Sequence, residues 1–593
     1  MKAVVNSVAL ACLASVLCLT VPQKGLASGE KPSLSAEKLS PELSGKIIAA
    51  TALKSSARFD QFLAELSGGN LLDSHNKIAT AVKRFRNEDK LKDYELHAIQ
   101  RLLGIYTRLK YGEEAIELLT RMVEIPTFQV KGLPQHENPE FHKFSRFLGK
   151  VAGEFNLAFR NVDHRVYEIS LDGASDEIVG IHAHADVVPV NPALWVLEDG
   201  TRLDPFKVTH IGERMYGRGT EDDKNGIVVS LYAMKVIKEE GISLLRDFRL
   251  LVDTTEETTG EAMPYYFTKN PKPKYNLAID GGYPVVIAEK GSSTITTTFP
   301  LRAGTSESGA EAELVSVVGG MAKNQIPSAS SVDIVTASPE KLTVKLKALA
   351  DEFVAAKGDN FSIETAAMAG GLKLTVKGVS AHSSEPASGV NPVSRLFTFI
   401  EFAQKHSVFK SNHITDAATY VSDNWGLDYH GKVLGIDFKH DFMGPLTSAV
   451  TYVGMDVNGF QLVVNLRIPV GRSVEDIDKD LGSKLGEWKT KSNVAFSLET
   501  KFNKPMYRNP KGVWVNALLD VATENLSMPR DFLSSSGATS VHYLPNGVQF
   551  GLGMPDEKYT GHNANEFKRK EQFLLDLQII TEMVARIGQI PEL

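Results

Sequence analysis

The sequence predicts an α/β fold: a mostly parallel sheet with helices on both faces, interrupted by a large α+β insert. Three observations carry this expectation. The runs Ile178-Val179-Gly180-Ile181, Phe248-Arg249-Leu250-Leu251-Val252 and Tyr275-Asn276-Leu277-Ala278-Ile279 are short and apolar, and each ends in a polar cluster, as buried parallel strands do. Between the first two, Gly226 to Lys238 is long enough and apolar enough on one face to be a crossover helix. From about Ser292 to Lys501 the texture changes to alternating stretches such as Ser293–Phe299 and Leu372–Val376, with helices between them. That insert is large enough for two small subdomains.

Along the chain, residues 1–28 read as an export segment. Lys2 precedes an apolar run from Val4 to Val21, and Gly25-Leu26-Ala27-Ser28 offers small residues to a signal peptidase. A retained membrane anchor fits less well, because Asn6 and Ser7 interrupt a run that only just reaches the roughly 18 residues a span needs. A lipid-bearing Cys12 would cut the apolar region short. Residues 29–112 follow as a helical extension with helical spacing at Tyr94, Leu96, Ile99, Leu102 and Leu103. A further helix opens at Glu113 and is stopped by Ile125-Pro126. Residues 113–291 and 503–593 then form the two parts of the sheet domain, and residues 292–502 form the insert. The last part carries helices over Val513–Asn525 and Phe573–Ile587.

Composition excludes several function classes. With 593 residues, 42% hydrophobic and 23% charged, the chain has the make-up of a globular protein. Its 65 Lys and Arg against 72 Asp and Glu, with a pI near 6.1, provide no basic field to collect nucleic acid. The two cysteines, Cys12 and Cys18, both fall in the export segment, so neither a disulfide framework nor a thiolate metal site is available to the rest. Any metal must be held by His, Asp and Glu.

Those residue types gather at the expected strand ends. His184-Ala185-Asp186-Val187-Val188-Pro189 follows the first strand, Asp253-Thr254-Thr255-Glu256-Glu257 the second, and Asp280-Gly281-Gly282 the third. Gly217-Arg218-Gly219-Thr220-Glu221-Asp222-Asp223-Lys224 places carboxylates at the mouth of the crossover helix, but the spacing to Lys224 is wrong for a phosphate loop. Gly561-His562 lies near the C-terminus. A parallel sheet brings its strand ends to one edge, where ligand sites form. The imidazole and oxygen donors suit zinc, and also manganese or cobalt; two ions roughly 3.5 to 4 Å apart require a bridging carboxylate.

Together with Glu289-Lys290-Gly291 and Ser380-Ala381-His382-Ser383-Ser384, these segments, six in the family's order, resemble the M20 family of metallopeptidases. The resemblance is to the PepV-type dipeptidase branch and covers about Glu113 to the C-terminus. It implies that His184 and Asp280 bind one zinc ion, that Glu257 and His562 bind a second, and that Asp222 bridges them. It also implies that Asp186 orients His184, that Glu256 is the general base, and that His382 stabilises the oxyanion in its own chain or across a dimer. The insert becomes a lid of two ferredoxin-like subdomains. In it, Arg467 matches the position that grips the substrate's free carboxylate, and Asn324 an accompanying polar one.

The expected protein is therefore a periplasmic zinc metallopeptidase, a dipeptidase acting on small peptides as monomer or homodimer. An aminoacylase acting on N-acyl amino acids and a non-catalytic peptide-binding protein are the alternatives. Two departures from the pattern stand out: the export segment, since PepV-type relatives are usually cytoplasmic, and His542, where the family commonly has an arginine. His182 is offset from the motif, and His542 reads as a substrate-pocket residue. The S-x-x-K spacing of Ser338 to Lys341 recurs at Ser35 and Ser74 without a Lys-Thr-Gly partner, so it is chance.

Overall fold

The structure, a computed structural model, describes residues 26–27, 39–53, 56–306, 309–320, 322–358 and 360–593. Apart from Leu26–Ala27, which pair with Asp531–Phe532, the export segment and both cysteines lie outside the described residues. The chain forms two compact units. One comprises Glu289–Tyr507 and Ser535–Ala538; the other comprises the described residues before Glu289 together with Arg508–Ser534 and Thr539–Leu593.

The second of these units begins with four helices, α1 (Pro41–Ala50), α2 (Phe59–Gly68), α3 (Asn76–Arg86) and α4 (Asp93–Val123). Helix α5 (Pro139–Glu154) leads into strands β1 (Ala158–Val162), β2 (Val166–Leu171) and β3 (Ile178–His184). Then come α6 (Lys224–Glu239), β4 (Asp247–Asp253), α7 (Ala262–Lys269), β5 (Tyr275–Ala278) and β6 (Val286–Glu289). Strand β3 is buried at every position and lies parallel to β4 and β5, with His184 opposite Asp253 and His182 opposite Ala278. The three apolar runs are thus the parallel centre of the sheet. Beside it, β1 and β2 form an antiparallel hairpin against β4 that the apolar-run signal does not reveal, because β1 alternates exposed and half-buried residues.

The insert holds β7 (Gly291–Phe299), β8 (Glu313–Gly319), β9 (Gln325–Ile326), β10 (Ala329–Val335), α8 (Pro339–Lys357), β11 (Ser362–Met368), β12 (Gly371–Lys377) and β13 (Ala381–His382). It continues through α9 (Pro392–Gln404), α10 (His413–Asn424), β14 (Thr447–Asp456), β15 (Gly459–Ile468), α11 (Val474–Ser492) and β16 (Ser497–Lys501). Eight strands make one antiparallel sheet in the order β11-β12-β10-β8-β14-β15-β7-β16. Period-two burial along β7 turns Ile295 and Phe299 to one face, where they join Leu374, Val464 and residues of α8 to α11 in a single core. The strand alternation expected at Ser293–Phe299 and Leu372–Val376 is present.

The chain returns to the sheet domain with α12 (Val513–Leu526), β17 (Asp531–Ser535), β18 (Gly547–Gln549) and α13 (Lys570–Gln589). Strand β18 pairs parallel with β5 and antiparallel with β6, so the sheet is mixed, with its parallel strands at the centre. Helices α4, α6 and α13 pack together. Helix α4 runs without a break through Gly112–Glu113, where the sequence reading ends one segment and starts a new helix. The reason is contact: a Cβ at Gly112 would lie 2.6 Å from Leu574 Cδ2, and one at Gly104 would lie 2.5 Å from the Gln578 carbonyl. These glycines admit α13 and do not end the helix. Among the described residues, no helix is long and apolar enough to cross a membrane.

Candidate metal centre

The site is assembled at the carboxyl ends of β3, β4 and β5, as the topology requires. His184 is the last residue of β3, and its Nδ1 donates to the Asp186 carbonyl at 2.8 Å. Its Nε2 therefore faces the cluster, 2.8 Å from Asp222 Oδ1 and 3.6 Å from Asp280 Oδ2. The other oxygen of Asp222 lies 2.8 Å from His562 Nε2, which is 2.5 Å from Glu257 Oε1. Two triads, His184–Asp222–Glu257 and His184–Glu256–Asp280, each bring their ligand atoms within 4.8 Å of one another. The five residues expected to be ligands, and Glu256, thus come together.

Burial makes this cluster unstable without positive charge. His184, Asp222, Asp223 and Asp253 are all buried, and desolvated carboxylates crowd one another. Burial, with the neighbouring acids adding to it, pushes Glu256 and Glu257 up to about 7 and Asp280 up to about 6, against the pull of nearby imidazole. Burial opposes charge on His184 and His562, yet the surrounding carboxylates prevail and raise both well above the usual histidine value. Asp222 is also opposed by burial, and the two imidazoles hold it well below the usual carboxylate range. His184 Nε2 and Asp222 Oδ1 are buried and find no hydrogen bond of acceptable geometry, although 2.8 Å apart. A cation, which needs no donor angle, satisfies both, so the donor set fits divalent metal.

Two loops bring Asp222 and His562 to their places, and here the structure adds residues that the sequence did not single out. Glu566 is fully buried, and its Oε1 accepts the backbone N–H groups of Gly219 at 3.0 Å, Glu221 at 2.9 Å and Asp222 at 3.2 Å; its Oε2 takes Arg218. In return, Glu221 Oε2 accepts the N–H groups of Thr560 at 2.6 Å and Gly561 at 2.9 Å. The loop bearing Asp222 and the loop bearing His562 therefore clasp each other. Gly219, at φ +90°, supplies the left-handed turn this needs. The Tyr559 hydroxyl donates to Asp222 Oδ2. Only the short H-x-x-x-E spacing of His562 and Glu566 hinted at such a partner.

The contact between Asp186 and His184 is made by the Asp186 carbonyl. Its carboxylate instead accepts the backbone N–H groups of Glu256 at 3.2 Å and Glu257 at 3.0 Å, and so sets the turn that carries both glutamates. Its side-chain oxygen is 3.6 Å from His184 Nδ1. His182, by contrast, bonds Asn276 Oδ1 at 2.9 Å from a fully desolvated position that holds its pKa down to about 4. It lines a small pocket with Glu256, Asp280, Thr539 and Ser540 but does not join either triad. His542 is buried with its ring against Tyr543, outside both triads.

In the other unit, Arg467 sits on β15 and is buried, so it is no surface ion pair. Its Nε donates to Asn465 Oδ1 at 3.1 Å and its Nη1 to the Ser536 carbonyl at 3.3 Å. Asn465 Oδ1 also accepts from Ser383 Oγ at 2.8 Å, which links Arg467 to the strand bearing His382. The Asn324 carbonyl accepts the Ser383 N–H at 2.9 Å, and β9 pairs with β13 so that Gln325 stands opposite His382. The three insert positions singled out in the sequence, His382, Arg467 and Asn324, are thus joined in one polar network.

Residues 180–586 match the family described as Peptidase family M20/M25/M40. The chain belongs to that family. Among M20 relatives, it is 28% identical over 419 residues to “Putative dipeptidase YtjP” of Bacillus subtilis (strain 168), covering 70% of this chain and 84% of that one. It is 27% identical over 426 residues to “Beta-Ala-Xaa dipeptidase” of Lactobacillus delbrueckii subsp. lactis, covering 71% and 84%. Human carnosine dipeptidase 1 is a similar solved structure, with TM-score 0.47 and 12% identity over 83% of this chain and 99% of that chain. The protein is an M20 metallopeptidase with a buried His, Asp and Glu cluster suited to divalent metal.

Proposed function

We propose that this M20 chain is an exported dipeptidase with two divalent metal ions, hydrolysing short peptides that carry a free C-terminal carboxylate. The observation that carries the reading is Asp222, whose two oxygens each lie 2.8 Å from the Nε2 of a different histidine. His184 and Asp280 would hold one ion and Glu257 and His562 the other, with Asp222 placed to serve both. The donors suit zinc best and also accept manganese or cobalt. Bound divalent metal supplies Lewis acidity, which brings the pKa of a water towards about 7 and polarises the scissile carbonyl.

The chain's own residues do the rest. Glu256, raised to about 7, takes the proton of the attacking water and returns it to the leaving amine. His382 donates a hydrogen bond to the carbonyl oxygen as charge develops on it. Arg467 grips the free carboxylate through two parallel N–H groups, with Asn324 beside it. In domain terms, the unit that carries the sheet, including the helices before residue 113 that α4 joins to it, is the catalytic domain, and residues 292–502 are a lid of two ferredoxin-like halves. The dipeptidase names of the relatives support the substrate class, and the apolar run from Val4 to Val21 supports export to the periplasm.

The test is hydrolysis of a panel with zinc or manganese, with and without chelator: dipeptides, tripeptides, C-terminally amidated dipeptides and N-acyl amino acids. Chelator-sensitive cleavage confined to free dipeptides is expected. Arg467→Lys, which keeps charge but loses the planar fork, should raise KM for them with a smaller change for amidated ones. Cleavage of N-acyl amino acids in place of dipeptides would overturn the substrate assignment.

A further inference from the structure

His382 lies at the end of the two-residue strand β13, and the residue two positions on, Ser384, folds back on its ring. The backbone N–H of Ser384 donates to His382 Nδ1 at 3.2 Å, and the Ser384 hydroxyl lies 2.6 Å from the same nitrogen. A backbone N–H can only donate, so Nδ1 must present its lone pair to it. The neutral imidazole has one ring proton, and with Nδ1 accepting, that proton sits on Nε2. Ser384 is buried and its carbonyl accepts from the Thr447 hydroxyl at 3.3 Å, so the group that approaches the ring is itself anchored to the sheet.

Burial, aided by the Arg467 cation, lowers the ring's pKa to about 4, and the ring is therefore neutral near pH 7. Left to itself, a neutral imidazole divides between two tautomers, and only one of them donates from Nε2. Both Ser384 donors select that one.

We propose that Ser384 is a positioning residue that fixes His382 as the neutral Nε2–H tautomer, making it a hydrogen-bond donor and not a base. The inference rests on the oxyanion role of His382 given above, and it goes beyond that role by naming the group that sets it. An imidazole with the proton on Nδ1 would turn a lone pair towards the developing negative charge, which repels it. The hydroxyl of Ser384 thus acts on the reaction through the ring and not by touching substrate.

The experiment is nitrogen NMR of the zinc-loaded full chain labelled at histidine ring nitrogens, with the His382 signals assigned by their loss in His382→Gln. An unprotonated Nδ1 and a protonated Nε2 at pH 7 are expected. Ser384→Ala removes the hydroxyl donor and leaves only the longer backbone N–H, so it should shift the spectrum part of the way towards a tautomer mixture and lower kcat about tenfold with little change in KM, and Ser384→Thr, which keeps the hydroxyl, should restore both. A ring protonated at Nδ1 in the native chain overturns the proposal, and so does a Ser384→Ala variant with unchanged spectrum and kcat. Full activity in His382→Gln would instead overturn the catalytic role of His382, a failure distinguishable because the tautomer is read without turnover.

Discussion

Glu566 accepts the backbone N–H of Asp222 at 3.2 Å, so the residue four positions after His562 holds the carboxylate that stands against that imidazole. The same oxygen also takes Gly219 and Glu221 N–H groups, so one buried side chain shapes the whole Gly219–Asp222 turn. Glu566→Gln keeps an acceptor oxygen but weakens the pairing with Arg218. Loss of such a supporting group typically costs about 10–100-fold in metal affinity or activity. We expect that range in Glu566→Gln, read as zinc retained per chain after dialysis against a weak chelator. Wild-type retention would show that the turn holds without it.

Glu256 and His562 should separate chemistry from metal binding. Glu256→Ala should keep the fold and its metal content while kcat falls about 10²–10⁴-fold, the span general-base catalysis supplies. His562→Ala should lose metal, because Asp222 and Glu257 would face each other with no imidazole between them. Elemental analysis alongside kinetics distinguishes the two. Near wild-type turnover in Glu256→Ala would sink the mechanism.

Metal affinity should weaken as pH falls through about 7. In the metal-free chain, Glu257 titrates at about 7 and Asp280 at about 6, both raised first by burial. Burial opposes protonation of His184 and His562, but their carboxylate neighbours keep both protonated above the usual histidine range. Metal displaces those protons, so acid favours the metal-free form. Each displaced proton makes the apparent Kd about tenfold weaker per pH unit. Zinc competition against a chromophoric chelator at pH 8 and pH 6 measures the slope, and a flat profile would contradict the protonation scheme.

Arg101 of α4 ties three parts of one unit together. It donates to Glu582 on α13 at 2.6 and 3.1 Å, to Glu524 on α12 at 3.0 Å and to the Leu39 carbonyl at 2.9 Å. Arg101 is 3% exposed and Glu582 is fully buried. Arg101→Ala leaves buried carboxylate short of a partner, which costs about 3–5 kcal/mol. Chemical denaturation should show that loss, and Arg101→Lys should recover only part of it because an ammonium cannot serve three directions in one plane.

The parallel centre was legible because strands buried on both faces are apolar almost throughout, as Ile178–Ile181 is and as Phe248–Val252 is apart from the half-buried Arg249. The gathering of His184, Glu256, Glu257 and Asp280 was legible because polar residues directly after such strands share one sheet edge. The antiparallel hairpin β1–β2 was not, since β1 is half-exposed and the buried β2 carries Glu168 and Ser170 within its run, so neither gives a continuous apolar signal. Nor was the length of α4, because Gly112 looks like a break in sequence and is a contact with Leu574 in space.

By itself, the sequence determined the fold class, the family and which His, Asp and Glu residues could meet, since local pattern and motif order specify all three. Tertiary structure decided how they are held. The carbonyl of Asp186 on His184, the carboxylate of Glu566 under Asp222 and the Ser384 donors on His382 depend on distances between atoms. Local pattern sets which face a residue occupies; the lone pair or N–H it meets there is set by packing across segments as far apart as Asp222 and Glu566.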